Sequence, residues 1–384
     1  MKKFWDKWTE IALVKRILVG LILGAILGIA VPQATGIAIL GDVFVSALKA
    51  IAPLLVFFLV VSSLCNAGKS HGGVIKTVII LYMFSTVLAA VIAVFASMAF
   101  PVKMTLANAA TDTSAPQGIV EVLNNLLLNV VANPVSSLVN ANYVGILMWA
   151  VLLGLAFRAA DKMTKKVLAD VADGISMVVT WIINLAPFGI FGLVFNTVST
   201  NGLDIFTTYG KLLLLLVGCM LFIYFVTNPL LVYWCIRQNP YPLIFHCLKR
   251  SALTAFFTRS SAANIPVNMK VCEEMGLDRD TYSVTIPLGA TINMDGAAIT
   301  ITVMTMATAF TLGIHVDIPT AIILSLLAAL SACGASGVAG GSLLLIPMAC
   351  SLFGISDDIS MQVVAVGFII GVVQDLSLIH ISEP

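Results

Sequence analysis

Long apolar stretches alternate with short polar connections along almost the whole chain. A helix needs about 20 mostly apolar residues to cross a lipid bilayer, so each long stretch predicts a membrane span. Runs of this kind occupy residues 11–31, 43–67, 74–100, 119–157 (interrupted near Asn133-Pro134), 167–198 and 211–236. The pattern therefore predicts an all-α polytopic membrane protein.

The second half of the chain follows a different pattern. Segments 243–269 and 318–353 are apolar but are broken in the middle by small and polar residues. With the N-terminus inside, sixteen of the 20 Lys and Arg residues are cytoplasmic only if each segment enters and leaves on one face. A further segment, 281–312, is interrupted at Asn293-Met-Asp-Gly296, and a last one starts near Ser360. We therefore predict about eight transmembrane helices and two re-entrant helical hairpins.

The two hairpins belong to an internal repeat. Each is followed by a polar loop and then by a helix that carries an aspartate. Ile265 precedes Asp295 by 30 residues, and Ile346 precedes Asp375 by 29. The first unit starts from the inside and the second from the outside, so the C-terminal half contains an inverted repeat. Inverted repeats with broken helices are typical of secondary transporters.

Composition and charge narrow the class of protein. The 384 residues are 60% hydrophobic and 10% charged, with a mean hydropathy of +1.05 and a net charge of +1. This balance argues against a nucleic-acid partner. The basic stretch up to Arg16 runs directly into an apolar run that is too long for a signal peptide. We therefore predict a multi-pass membrane protein with a cytoplasmic N-terminus. The seven cysteines are scattered singly, and we expect buried thiols, no metal cluster and no cofactor.

Four charged residues lie within apolar segments: Lys49, Arg259, Asp295 and Asp375. A charge at this depth is costly and usually faces a partner or a pathway. Lys49 lies near the start of its span, where its ammonium group can extend to the membrane surface. Asp295 lies at a helix interruption, where freed carbonyls and a carboxylate suit an alkali cation. The alternative is a packing kink at Gly296, with Asp295 bonded to a neighbouring amide.

The two hairpin tips, at residues 258–261 and 334–342, are rich in Ser and Gly. Such segments offer backbone N–H groups to a carboxylate, although small residues also serve helix packing alone. Gly334-Ala-Ser-Gly337 also matches the GxSG motif of intramembrane serine proteases. That chemistry needs a histidine base, and no predicted span contains one, so a protease is a remote alternative.

Three motifs resemble the dicarboxylate/amino acid–cation symporter family, which includes the glutamate transporters. Phe257-Thr-Arg-Ser-Ser-Ala-Ala-Asn-Ile-Pro-Val-Asn-Met269 resembles the tip of the family's first hairpin. Asn293-Met-Asp-Gly296 matches the family's NMDG signature, and residues 334–342 match its second hairpin. The resemblance extends from about residue 11 to Asp375, and we predict membership of this family.

The resemblance implies a role for individual residues. The implied sodium ligands are Tyr82, Ser85, Thr86, the carbonyl of Gly289, the hydroxyl of Thr291, Asn293 and Asp295. The implied substrate site comprises Ser260, Ser261, Val338, Ser342, Ala297 and Asp375, of which Asp375 binds the substrate ammonium group. Sodium ions are thus a co-transported substrate.

The resemblance also implies a homotrimer in which a mobile transport domain moves like an elevator on a fixed scaffold, with the second hairpin as the extracellular gate. Residues 1–240 would be mainly scaffold (trimerisation) helices, with the third span contributing to the transport core. Residues 241–375 would form the core transport domain. Residues 376–384 differ from the family's polar helix end, and we interpret them as a non-native tail. We accordingly expect the 384-residue chain to insert without transporting.

The substrate prediction depends on departures from the family pattern. Ala297 stands where members that carry acidic substrates have threonine, and the second hairpin reads Val338-Ala-Gly instead of Val-Pro-Gly. Within the family, the chain resembles bacterial members that carry serine and threonine with sodium, and this resemblance implies a location in the bacterial inner membrane. We therefore predict sodium-coupled symport of small neutral amino acids, serine and threonine, into the cell. The alternative is a sodium- or proton-coupled symporter of acidic amino acids or dicarboxylates.

Overall fold

The computed structural model of the chain describes residues 13–66, 73–104, 106, 127–128, 131–202, 204–252, 261–333 and 341–377. Regular structure in these ranges is entirely helical. The α-helices are α1 Leu13–Ala30, α2 Ala38–Asn66, α3 Gly73–Ala99, α4 Pro134–Val139, α5 Tyr143–Ala156, α6 Lys162–Asn184, α7 Ala186–Asn201, α8 Asp204–Phe222, α9 Asn228–Ile236, α10 Tyr241–Cys247, α11 Ser261–Glu274, α12 Arg279–Ile292, α13 Asp295–Thr311, α14 Ile318–Ala332, α15 Ile346–Ser351 and α16 Asp357–Ser377. Short 3₁₀ helices cover Thr35–Ile37, Phe157–Ala159 and Leu343–Leu345, and π-helical turns cover Ile223–Thr227 and Leu248–Ala252.

Several helical segments are long and apolar enough to cross a membrane. In the described ranges there are five: Thr35–Asn66, Lys76–Ala99, Lys162–Asn184, Thr207–Ile236 and Thr281–Thr311. Shorter apolar helices cover Tyr143–Ala159, Ala186–Thr200 and Ile318–Ala332. These helices agree with the predicted all-α polytopic architecture.

One predicted span, residues 167–198, consists of two helices. Helix α6 ends at Asn184, and α7 begins at Ala186 after Leu185. Pro187 in the first turn of α7 has no N–H group, so it cannot continue the hydrogen bonds of α6. The sequence analysis predicted one span because residues 167–198 are apolar on both sides of the junction, and only Pro187 signals the break.

Helices α1 and α7 pack with very close backbones. A Cβ atom placed on Gly24 would lie 2.6 Å from the carbonyl oxygen of Phe191, and one on Gly20 would lie 2.2 Å from that of Pro187. A Cβ atom on Gly28, one turn further, would lie 3.0 Å from the carbonyl oxygen of Phe195. Small residues at every fourth position let membrane helices approach closely and gain dispersion contacts. This glycine face therefore fixes α1 on α7.

The helices pack in two groups. Helices α1, α2, α5, α6 and α7 contact one another, as do α3, α8 and α12 to α16. Helix α13 is the centre of the second group, with α3, α8, α14, α15 and α16 around it. Every residue from Asp295 to Ala309 is consequently buried. Helices α7 and α2 contact α16 across the boundary between the groups.

Lys49 on α2 makes ion pairs instead of only extending to the membrane surface. Its Nζ lies 3.1 Å from Oδ2 of Asp357 and 2.6 Å from Oδ1 of Asp358. Both carboxylates lie in the first turn of α16, where the positive end of the helix dipole also favours negative charge. The lysine thus joins a helix of the first group to one of the second.

Candidate cation site at the break between α12 and α13

The predicted helix interruption is present. Helix α12 ends at Ile292 and α13 begins at Asp295. Between them, Asn293 (φ −95°, ψ 78°) and Met294 (φ −114°, ψ 52°) leave the helical conformation. The Asn293 N–H still bonds to the Gly289 carbonyl at 2.9 Å. The break therefore frees the last carbonyls of α12, which have no partner within their own helix.

The carboxylate of Asp295 lies at this break and is completely buried. The hydroxyl of Ser85 donates to its Oδ2 at 2.7 Å, and the hydroxyl of Thr86 lies 3.2 Å from its Oδ1. Both hydroxyls belong to α3, which packs against α12 and α13. Two residues predicted as sodium ligands therefore meet the predicted carboxylate.

Thr86 is surrounded by more oxygen atoms than its hydroxyl can serve. Besides Asp295, the carbonyl oxygens of Tyr82 and Ile292 lie 3.0 Å and 3.4 Å from its Oγ1. The hydroxyl has one proton and donates to one of these acceptors at a time. Its own oxygen accepts from the Met294 N–H at 3.2 Å. Such a concentration of carboxylate, carbonyl and hydroxyl oxygens suits a hard cation.

Tyr82 packs against Gly289 on α12. A Cβ atom on Gly289 would lie 3.0 Å from both Cζ and the hydroxyl oxygen of Tyr82. The Tyr82 hydroxyl donates to the Thr285 carbonyl at 3.3 Å. Glycine at this position lets the aromatic ring of Tyr82 approach the last turns of α12.

The remaining predicted sodium residues belong to the same region. The side chain of Asn293 is buried and lines a cavity together with Tyr82 and Ser85. Thr291 lies in the last turn of α12, but its side chain is outside the described part of the structure.

The predicted substrate residues are only partly covered. Ser260 and Val338 lie outside the described residues. Ser261 begins α11 and Asp375 lies in α16, but neither side chain is described. Ser342 is buried immediately before the 3₁₀ helix Leu343–Leu345, which contacts α13 and α16. Ala297 is buried in the first turn of α13, near Asp295.

Some groups at the site were missed by the sequence analysis. They are the carbonyls of Thr285 and Ile292, the Met294 N–H, and the thiol of Cys333, which lies 3.6 Å from the Ile292 carbonyl oxygen. The Ile292 carbonyl was predictable in principle, because any break after residue 292 frees the preceding carbonyls. Cys333 directly follows α14, and no local pattern connects it with this break.

The chain matches a known family over nearly its whole length. Residues 13–374 match the model of the sodium:dicarboxylate symporter family. The chain belongs to this family. The family prediction is therefore confirmed, and the chain is a multi-pass membrane transporter and not an enzyme.

Curated relatives in the family are similar across almost the whole chain. The serine/threonine transporter SstT of Bifidobacterium adolescentis is 58% identical over 371 residues, which are 96% of this chain and 86% of that protein. The serine/threonine transporter SstT of Streptococcus thermophilus is 55% identical over 376 residues, 98% of this chain and 94% of that protein. The protein of the same name from Streptococcus agalactiae is 56% identical with the same coverage.

Proposed function

We propose that the chain carries serine and threonine into the cell together with sodium ions. The observation that carries the proposal is the buried carboxylate of Asp295 with the hydroxyls of Ser85 and Thr86 at a helix break. The serine/threonine transporters at 55–58% identity support the choice of substrate.

Asp295 provides the charge and its neighbours provide the geometry for the cation. Removing a carboxylate from water costs several kcal/mol, and a sodium ion beside Asp295 offsets that cost. The Thr86 hydroxyl and the carbonyls of Gly289 and Ile292 supply neutral oxygens. The Asn293 side chain and the hydroxyl of Thr291 complete the proposed set.

Substrate binding adjoins the cation site in this proposal. The carboxylate and backbone atoms of the substrate are held by Ser260, Ser261, Val338 and Ser342. The ammonium group of the substrate is bound by Asp375. Ala297 lies two residues after Asp295, and its methyl side chain offers no hydrogen bond to a substrate side chain. The side-chain carboxylate of an acidic substrate would therefore have no hydrogen-bond partner at Ala297. An unpaired polar group in a buried site discriminates strongly against the substrate that carries it.

The finer architecture is part of the proposal. We infer about eight spans, two re-entrant hairpins and an inverted repeat. The contact of the π-helical turn Leu248–Ala252 with α11, and of α14 with α15, supports two segments that fold back on themselves. Helix α3 packs on α12, α13 and α14, which supports its assignment to the transport core.

Helix α8 also contacts α3, α13 and α16. We therefore infer that it moves with the core, although it lies within residues 1–240. The remaining helices of that segment would form the scaffold of a homotrimer. The distribution of Lys and Arg supports a cytoplasmic N-terminus, and the bacterial relatives support a location in the inner membrane.

Uptake into membrane vesicles tests the proposal. Labelled serine is offered under an imposed sodium gradient, with unlabelled threonine or aspartate as competitor. Two forms are compared, the 384-residue chain and a form continued after Asp375 with the matching segment of the Streptococcus thermophilus relative. In the continued form, we expect sodium-dependent serine uptake that threonine inhibits and aspartate does not. The 384-residue chain tests the expectation that residues 376–384 prevent transport. Equal inhibition by aspartate would instead favour the acidic-substrate alternative.

The variant Asp295→Asn links uptake to the cation site. An amide removes the charge that balances sodium but keeps the volume of the side chain, so we expect insertion to persist and sodium-dependent uptake to disappear. Wild-type sodium dependence in this variant would show that Asp295 is not a ligand.

A further inference from the structure

A cavity of about 500 Å³ lies between α3, α9, the first hairpin and α12. Most of the described lining is apolar, with polar side chains from each of these elements. They are Tyr82 and Ser85 on α3, Tyr224 just before α9, Asn228 at the start of α9, Ser251 and Asn268 in the first hairpin, and Asn293 at the helix break. A cavity with several polar partners favours bound water, whereas a purely apolar one stays dry.

One wall of the cavity belongs to the cation site. Ser85 lines the cavity and donates to the Asp295 carboxylate at 2.7 Å. Asn293 and Tyr82, both in the proposed sodium site, line it as well. A single layer of side chains therefore separates the cavity from Asp295.

Two π-helical turns border the cavity. Tyr224 comes from the turn Ile223–Thr227, and Ser251 comes from the turn Leu248–Ala252. Single π-helical turns inside α-helices are uncommon and occur frequently at functional sites. The Tyr241 hydroxyl donates to the Phe225 carbonyl at 3.2 Å, which ties the start of the hairpin to the first of these turns.

Amide groups line the interior. The Oδ1 atom of Asn228 is buried and has no hydrogen-bond partner within the described residues. In the first hairpin, the Ser251 hydroxyl donates to Asn268 and accepts from the Asn264 amide at 2.7 Å. A buried amide oxygen without a protein partner lowers the stability of the fold unless water or a cation binds it.

One end of the cavity lies beside a polar connection. Ile236 and Leu243, which line it, flank the exposed residues 237–239 between α9 and α10. The ion pair between Arg250 and Glu274, at 3.5 Å, joins the two arms of the hairpin next to Met275, another lining residue. The basic residues of these connections indicate the cytoplasmic side.

We propose that this cavity is a water-filled cytoplasmic branch through which the cation at Asp295 exchanges with the cell interior, separately from the hairpin tips. The inference rests on the proposed cation site and adds a route to it. The occupant is a hydrated alkali cation, which passes the polar side chains of Asn228, Ser251 and Asn268 in the lining on its way to Ser85. The carboxylate of Asp295 makes the route selective for positive charge.

Native cysteines allow a direct test. Cys272 lines the cavity, and a variant with the other six cysteines replaced by alanine leaves it as the single thiol. In inside-out vesicles, its rates of reaction with a quaternary-ammonium thiosulfonate and with the sulfonate analogue are compared by mass spectrometry. Each rate is divided by the rate with a free thiol in solution. We expect Cys272 to react from the cytoplasmic side, and faster with the cation by at least about tenfold.

The charge preference identifies the connection with the cation site. In the Cys272 variant that also carries Asp295→Asn, we expect Cys272 to react with the cation-to-anion ratio near one, because the attracting charge is gone. Failure of Cys272 to react, or a ratio that Asp295→Asn leaves unchanged, would overturn the proposal. The ratio cancels the intrinsic reactivity of the thiol, so it reports only the field in the cavity.

Two further variants keep the test decisive. A single thiol at Cys350, which is completely buried and does not line the cavity, should stay unreacted under the same conditions. A single thiol at Cys247, also in the lining, should repeat the charge preference if the Cys272 variant folds poorly. Labelling needs no transport, so loss of serine uptake with this labelling pattern intact would contradict the proposed function and not the cytoplasmic branch.

Discussion

Replacing Thr86 with valine tests whether the oxygen cluster at the helix break binds sodium. Valine keeps the shape of threonine and removes one oxygen that lies 3.2 Å from Asp295 Oδ1 and 3.4 Å from the Ile292 carbonyl oxygen. A hydrogen-bonding or ligand contact with a charged group contributes about 1.5–3 kcal/mol. Since about 1.4 kcal/mol corresponds to tenfold, the affinity for sodium should fall about ten- to hundredfold.

The same change should also weaken the fold locally. The Met294 N–H donates to Thr86 Oγ1 at 3.2 Å and would lose this acceptor in a buried position. An unpaired buried N–H costs about 1–3 kcal/mol. The two effects are separable, because the structural cost is present without sodium and the loss of affinity appears only as sodium is added.

Thermal unfolding of the purified protein across a sodium titration measures both effects. A tenfold loss of affinity lowers the stabilisation by saturating sodium by about 1.4 kcal/mol. The control is Thr308→Val, which removes another completely buried hydroxyl, bonded at 2.7 Å to the Met304 carbonyl. We expect Thr308→Val to lower the melting temperature without changing the sodium dependence.

An unchanged or tighter sodium affinity in Thr86→Val would refute the reasoning. It would mean that the hydroxyl only satisfies the carboxylate when no cation is present. Removing it would then make Asp295 a stronger partner for sodium, not a weaker one.

Two further predictions concern stability. Gly24→Ala should lower the melting temperature and separate α1 from α7, because its Cβ would lie 2.6 Å from the Phe191 carbonyl oxygen. The control Gly174→Ala, where nothing lies within 4 Å of the added Cβ, should be neutral or stabilising. An equal loss of melting temperature in both variants would contradict this prediction. At the start of α6, the Thr164 N–H donates to the exposed Asp161 carboxylate at 2.8 Å and lowers the pKa of Asp161. The stabilisation by this cap is present above the ordinary aspartate pKa and is lost as the pH falls through the lowered pKa. The melting temperature of Asp161→Ala should therefore differ least from that of the wild type in strong acid. A difference that does not depend on pH would contradict the capping role.

The order and type of the main elements followed from the sequence. Apolar length predicted the long helices, and polar residues inside segment 281–312 predicted the break that the structure has at Asn293 and Met294. These features are local, since bilayer thickness determines span length and an interrupted helix needs polar partners nearby. The family motifs are local too, and the match over residues 13–374 confirms the symporter prediction.

The partners of Asp295 depend on the tertiary structure. Ser85 and Thr86 are 210 and 209 residues away in the chain, and without the family resemblance no pattern on α3 connects them with the break. The ion pairs of Lys49 with Asp357 and Asp358 also depend on the tertiary structure. From its position in the sequence alone, Lys49 was predicted to extend to the membrane surface.

Contacts between distant helices decided the remaining features. The glycine face of α1 has meaning only against the carbonyls of α7, and the cavity beside Ser85 exists only where α3, α9, α10 and α11 meet. A sequence specifies which residues prefer lipid, a cap or a break, because those preferences depend on a few neighbouring positions. Which buried oxygens converge on one carboxylate depends on how helices pack, and packing is a property of the whole chain.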